Sequence, residues 1–156
     1  MRFPYQTGRN RPVTLLKKRM IATFHVNRRV RLVPMIPDDV RKQVGRGGEE
    51  IAAQFLERKG YKIIERNYRK KWGEIDVIAE KDNVVHFVEV KAVSRESRDY
   101  RPEELIHESK LRKVARTAAL YMEQHRDGRE FQIDGIAVIM DMEARTARCR
   151  FYEQVM

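Results

Sequence analysis

The ten residues from Val84 to Val93 constrain the fold more than any other stretch of the chain. Read as a strand, they place Val84, His86, Val88, Val90 and Ala92 on one face and Val85, Phe87, Glu89, Lys91 and Val93 on the other. A strand that is apolar on both sides belongs inside a sheet covered on both faces, the arrangement of layered α/β proteins. The second face breaks its own pattern, because two apolar residues are followed by Glu89 and Lys91. A charge buried in such a place needs a partner or a chemical task.

The surrounding segments read as a regular series of elements. Gly48 to Lys59 puts Ile51, Ala52, Phe55 and Leu56 on one helical face, and Gly60 supplies the residue that ends the helix. Tyr61 to Asn67 and Trp72 to Ala79 read as strands, and Lys81-Asp82-Asn83 turns the chain into Val84 to Val93. Pro102 opens a second helix with a stripe that runs through Leu111, Val114, Ala118 and Met122 until Asp127-Gly128. Phe131 to Met140 reads as a buried strand and Ala147 to Tyr152 as a further one. The order αβββαβ, with that extra strand, predicts an α/β fold: a mixed β-sheet flanked by helices.

Charge divides the chain in two. Residues 1–46 hold 12 Lys and Arg against Asp38 and Asp39, while residues 47–156 hold 21 of each sign, so the net charge of +10 is N-terminal. Residues 1–41 carry four of the five prolines and no sustained period, which reads as a basic, unordered arm ahead of a domain spanning 42–156. A solvated tail and an arm that contacts phosphates both fit this composition. Lys17, Lys18 and Arg19 interrupt Val13 to Phe24, so that stretch lacks the apolar core of a secretory signal. The longest aliphatic run, Ile136 to Met140, is far too short to span a membrane. Cys149 is the only cysteine, which excludes an internal disulfide and fits a reducing, cytoplasmic compartment.

The chemistry gathers around the two central strands. Glu74 and Asp76 project from one face of their strand, so Asp76 and Glu89 can meet at the sheet edge. Two converging carboxylates repel unless a proton or a cation lies between them, and their hard oxygens suit Mg2+ or Mn2+. Asp76 followed after twelve residues by Glu89-Val90-Lys91 has the form D…ExK, a short pattern that gains meaning from its place on adjacent strands. Glu49 and Glu50 fall in the first turn of the first helix, where interaction with the helix dipole explains both; for Glu49 a role in the site stands beside that explanation. Gly45, Gly47 and Gly48 precede them, but there is no GxxxxGK[ST] and hence no nucleotide cradle.

These residues also carry a family resemblance. The strings Gly48-Glu49, Phe55-Leu56, Gly60-Tyr61, Asn67-Tyr68, Trp72 to Ala79 (WGEIDVIA) and Phe87 to Lys91 (FVEVK) resemble the YraN-like family of uncharacterised bacterial proteins. That family is similar to the restriction-endonuclease-like superfamily and to archaeal Holliday-junction resolvases with a PD-(D/E)XK site. The resemblance covers about Gly45 to Met140 and excludes the arm. It implies a restriction-endonuclease-like fold and a metal-dependent endonuclease acting on DNA, at branched or damaged sites. It implies metal-ligand roles for Asp76 and Glu89, the motif-lysine role for Lys91, and a helix-glutamate role for Glu49; a catalytic site would hold Mg2+ or Mn2+ there with the Val90 carbonyl as a further candidate ligand. A homodimer follows only by analogy with the resolvases. Asp134 falls where the family carries a strand aspartate, with no chemistry attached. Val93 stands where relatives often have a basic residue, which weakens backbone contact just after the motif.

Rival readings attach to several residues. Lys91 can form an ion pair with Glu89 without any catalytic task. Trp72 and Tyr68 suit base stacking or a place in the core. Lys110, Arg112, Lys113 and Arg116 lie outside the apolar stripe of the second helix, so they form either a solvated face or phosphate contacts. Arg46, Lys110 and Lys113 are the candidate nucleic-acid contacts. His25, His86, His107 and His125 lack zinc-ligand spacing, His86 reads as structural, and Cys149 lacks the partners of a nucleophile. Two non-enzymatic functions compete with the nuclease: a catalytically silent nucleic-acid-binding protein of the same fold, and an adaptor that binds an acidic partner through the basic arm.

Overall fold

In a computed structural model, the chain is described at residues 19–25, 37–94, 107–141 and 143–156, with side chains from residue 45 onward. Eight elements follow in order: β1 (Arg19–His25), α1 (Pro37–Arg58), β2 (Lys62–Lys70), β3 (Gly73–Lys81), β4 (Val84–Ser94), α2 (Glu108–Gln124), β5 (Phe131–Asp141) and β6 (Thr146–Tyr152). The six strands form one sheet in the order β1-β6-β5-β4-β3-β2. β4 and β5 are parallel and every other neighbouring pair is antiparallel, so the sheet is mixed.

The doubly apolar segment is the interior strand it was expected to be. β4 lies between β3 and β5, and each of its faces contributes to a separate apolar cluster. Val88 and Val90 pack with Ile51, Phe55 and Leu56 of α1, while Val85 and Phe87 pack with Leu111, Val114 and Ala118 of α2. The fold is therefore an α/β three-layer arrangement, with one helix on each side of a mixed sheet.

Local chemistry fixes the ends of these elements. Gly60, at φ 84°, ends α1 in a Schellman motif: its N–H donates to the Glu57 carbonyl and that of Tyr61 to the Leu56 carbonyl. Asp82 and Asn83, at φ 50° and 64°, form a two-residue turn closed by the Lys81–Val84 pair, the left-handed geometry that matches the twist of a hairpin. β2 runs on to Lys70, past the expected end at Asn67; Asn67 takes φ 53°, and across it the faces of the strand switch, Arg66 reaching Glu50 of α1 and Tyr68 packing in the α2 cluster.

The N-terminal part also differs from the sequence expectation. Within residues 1–41, read as an unordered arm, the backbone of Arg19–His25 forms β1 along β6, and α1 starts at Pro37 rather than Gly48. The other residues of that segment lie outside the described residues, as do Pro102, Leu105 and Ile106 of the expected second helix. The described part of that helix starts at Glu108, behind the extended His107.

Close approach of α1 to the sheet depends on Gly48. A Cβ there would overlap the Cβ of Ala92 on β4, so any side chain forces the helix and the strand apart. Gly48→Ala is expected to cost about 2 kcal/mol, the usual scale of overpacking, read as a lower urea midpoint at unchanged m-value. An unchanged midpoint would show that helix and strand are not in register at this point.

A buried polar pair sits on the α1 side of the sheet. His86 Nδ1 lies 2.7 Å from Asp134 Oδ2, and Asp134 Oδ1 accepts from Gln132 Nε2 and from the Gln154 backbone, each at 2.8 Å. Asp134 thus ties β4 to β5 and pins the chain after β6, consistent with the structural reading of His86.

Candidate active site

The site forms where the β3–β4 ladder stops. The last paired residues are Val77 and Val88, and beyond them the strands give up backbone pairing. Asp76 fills the break: its Oδ2 accepts the Val90 backbone N–H at 2.8 Å, replacing the lost ladder bond with a carboxylate. The N–H and C=O of an extended residue point to the same edge, so the Val90 carbonyl also faces β3 at the break. Asp76 and Glu89 meet at this corner as expected, but regular alternation does not hold in β3: Ile75 packs in the α2 cluster while Val77 and Ala79 pack in the α1 cluster, so the faces of the strand switch at Asp76, where the ladder breaks.

Glu89 lies beside it, 1% exposed on its side chain. Both of its carboxylate oxygens are buried, with lysine ammonium groups as their near polar contacts. Lys91 Nζ is 3.3 Å from Oε1 and Lys110 Nζ is 3.8 Å from Oε2, ion pairs rather than short, well-aligned hydrogen bonds. Burial pushes the Glu89 carboxyl up to about 7, and the negative charge of Asp76 adds to the push against the opposing pull of Lys110 and Lys91. Asp76 is also raised, chiefly by burial, with the Val90 N–H opposing.

Lys91 forms the ion pair that its spacing allowed, yet its side chain remains 39% exposed, so its ammonium also reaches solvent at the mouth of the site. Lys110 enters from α2, and the sequence did not show with whom it pairs. Its Nζ donates to Glu74 Oε1 at 2.6 Å and stands between Glu74 and Glu89. Thr117, also on α2, explains how the helix comes so near: a Cβ on Gly73 would overlap the Thr117 hydroxyl, so the glycine of the Gly-Glu-Ile-Asp string is a docking point for α2.

Glu49 lies on α1 at the rim. Burial raises its carboxyl, with the Asp76 charge adding to the effect, while the Asn67 side chain, Arg66 and Arg69 pull the other way. Glu50 has another occupation, accepting hydrogen bonds from Gln54 and from Arg66. Asp76 and Glu89 are thus brought together with Lys91 and Lys110, and Glu49 is within electrostatic reach of Asp76. Among the described residues, no group of three or more His, Cys, Asp or Glu is arranged to hold a metal ion.

The remaining candidates separate. Lys110 and Lys113 line an open cleft of about 550 Å³ next to Glu74, whereas Arg46 is exposed on α1 and outside that lining. Tyr68 is core, 3% exposed and edge-on to Tyr121, so it is not a stacking platform. Cys149 is buried and its thiol is pushed up to about 12 by that burial, which removes it from thiolate chemistry. No helix among the described residues is long and apolar enough to cross a membrane.

Comparison with known proteins places these residues in a family. Residues 48–138, from the close-packed glycine of α1 to the interior of β5, match the model of "Uncharacterised protein family UPF0102". The chain belongs to this family. It is the YraN-like family that the WGEIDVIA and FVEVK strings resemble. A UPF0102 protein of Campylobacter jejuni is 39% identical over 95 residues, covering 61% of this chain and 82% of the relative. One from Syntrophomonas wolfei is 38% identical over 103 residues, covering 65% and 89%. One from Campylobacter fetus is 41% identical over 91 residues, covering 58% and 79%. The UPF0102 match includes α1 from Gly48 onward, β2, β3, β4, α2 and most of β5, hence Glu49, Glu74, Asp76, Glu89, Lys91 and Lys110, but neither β1 nor β6. Membership assigns no chemistry by itself, so the function rests on the geometry.

Proposed function

We propose that this UPF0102 protein is a metal-dependent endonuclease that hydrolyses phosphodiester bonds in DNA. The observation that carries the reading is the buried Glu89 carboxylate set beside a second carboxylate, Asp76, with ion pairs to Lys91 and Lys110 as its near contacts. Burial and the repulsion of the neighbouring carboxylate both disfavour the charged form of Glu89, and a fold keeps such a cost where the group has a task. The arrangement of Asp76 on one strand and Glu89-Val90-Lys91 on the next also agrees with the PD-(D/E)XK pattern of the restriction-endonuclease-like superfamily.

The donors suit Mg2+ or Mn2+. Such ions are held by one or two carboxylates and keep several waters for substrate phosphate to replace, so a pair of acids is enough. A closed zinc cage would need more ligands than the described residues bring together. When bound, a divalent cation supplies a Lewis acid at the scissile phosphate and a more acidic water. Asp76 and Glu89 would hold it, with the Val90 carbonyl as a neutral third donor. Lys91, reaching solvent beside Glu89, orients the attacking water or faces the charge that grows on the phosphate oxygens. Lys110 keeps Glu74 paired, so that Glu74 does not add a further free negative charge where the phosphate must approach. Glu49 tunes the corner from α1 through its charge.

The test is Mg2+-dependent nicking of linear duplex, single-stranded and four-way-junction DNA by the purified full chain. Metal-dependent products from at least one of these substrates are expected. Binding without turnover of any of them would favour the silent nucleic-acid-binding alternative.

A pH dependence follows from Glu89. Its carboxyl must be ionised to hold a cation, so the cleavage rate should rise between pH 6 and pH 8 with a midpoint near 7 at low Mg2+. More Mg2+ should pull that midpoint downward, because the ion competes with the proton for the same oxygens. A midpoint indifferent to Mg2+ concentration would assign the titration to another group.

A further inference from the structure

The cleft beside Glu74 has two facing walls of cations. The β2–β3 hairpin supplies Arg69, Lys70, Lys71 and Trp72 on one side, and α2 supplies Lys110, Lys113 and Arg116 on the other. The lone carboxylate in the lining, Glu74, is neutralised by Lys110 at 2.6 Å and by Arg69 at 3.9 Å. The three α2 cations recur every third residue and so form one row, about 9 Å long at 1.5 Å of rise per residue. A row of that length can meet about two successive phosphates of an extended, unstacked strand. Trp72 is half-buried in the hairpin wall, and its indole N–H is buried without an acceptor. Lys110 joins the cleft to the carboxylate corner, since the same ammonium that binds Glu74 lies 3.8 Å from Glu89.

We propose that this cleft binds an unpaired strand of DNA, its phosphates held between the two cation rows and a base laid against Trp72. The inference rests on the nuclease reading of the adjoining corner and names its substrate class: DNA with a single-stranded segment next to the bond to be cut. Single-strand sites combine a basic groove with an aromatic platform, because an unstacked base has a free π-face. A duplex keeps its bases stacked on one another and offers Trp72 none.

The only tryptophan in the chain is therefore a reporter of this cleft. The full-length protein in EDTA, where metal-dependent cleavage cannot proceed, is titrated with a twelve-nucleotide thymidine oligonucleotide and with a duplex of equal length. Trp72 emission and the anisotropy of labelled DNA are followed at several salt concentrations. The oligonucleotide should quench Trp72 and bind at least tenfold more tightly than the duplex. Replacing Lys113 and Arg116 together by Ala should lower the slope of log K against log salt by about 1.4, the loss of two single-strand phosphate contacts. Anisotropy changes without quenching would place the DNA elsewhere, on the basic N-terminal segment for example, and would overturn the proposal. So would an unchanged salt slope, equal or tighter duplex binding, or no binding at all. Quenching without cleavage when Mg2+ is added overturns the nuclease reading and leaves the cleft standing; cleavage without quenching overturns the cleft alone.

Discussion

Glu89→Gln should make the metal-free protein more stable at pH 8, by about 2 kcal/mol. The Glu89 carboxyl is pushed up to about 7 from an ordinary 4.5, so the folded chain holds a proton that the unfolded chain releases between those values. With respect to this group, stability is greatest below pH 4.5, falls as pH rises through that window, and carries the full penalty above about 7. The full difference corresponds to roughly 3 kcal/mol, and part of it is offset because Gln gives up the attraction of Lys91 and Lys110. A neutral amide of the same shape removes the buried charge. The melting temperature in EDTA should then rise by about 4–8 °C at pH 8 and hardly change at pH 5. Mg2+ should stabilise the wild-type protein and leave Glu89→Gln unmoved. A variant less stable than wild type at pH 8 would mean that the lysines fully compensate the Glu89 charge in the folded protein, leaving no need for a cation there.

Asp76→Asn should lower Mg2+-dependent cleavage by about a thousandfold, or about 4 kcal/mol of transition-state stabilisation. Asparagine is the informative replacement. Its side-chain oxygen can still accept the Val90 N–H that holds the end of the β3–β4 ladder, so the strands stay in place while the charge is lost. Alanine would also strand that buried N–H and cost about 1–3 kcal/mol of stability, confusing the two effects. Lys91→Ala, which leaves both carboxylates intact, should lose about a hundredfold in rate with little loss of metal affinity. Single-turnover nicking with circular dichroism on the same samples separates rate from folding. Rates within threefold of wild type for both variants would remove Asp76 and Lys91 from the chemistry.

The sequence made the centre of the fold legible because the relevant signals are local. A strand apolar on both faces has one place to go, and β4 lies there between its two clusters. Gly60 and the Asp82-Asn83 turn act through their own backbone angles, which neighbouring residues do not override. The adjacency of the two strands was legible and brings Asp76 to the Glu89-Val90-Lys91 strand, but the switch of faces between Ile75 and Val77 was not, because it arises where the β3–β4 pairing ends. What escaped notice depends on distance along the chain. Lys110 reads as one cation among several on the solvent side of a helix, and only the docking of α2 at Gly73 turns it onto Glu74 and Glu89. The second wall of the cleft escaped for the same reason: Arg69, Lys70 and Lys71 look like an exposed hairpin until α2 faces them. β1 was missed because its pairing partner, β6, lies more than a hundred residues away and its own seven residues have no clear period.

The central claim is that Asp76 and Glu89 hold one divalent cation. Calorimetric titration of Mn2+ into the full chain at pH 8 tests it without reference to any substrate. One ion per chain is expected for the wild-type protein, and its binding heat should vanish in both Asp76→Asn and Glu89→Gln while Lys91→Ala retains it. Binding of equal stoichiometry and affinity in all four proteins, or no binding to the wild type, would contradict the account.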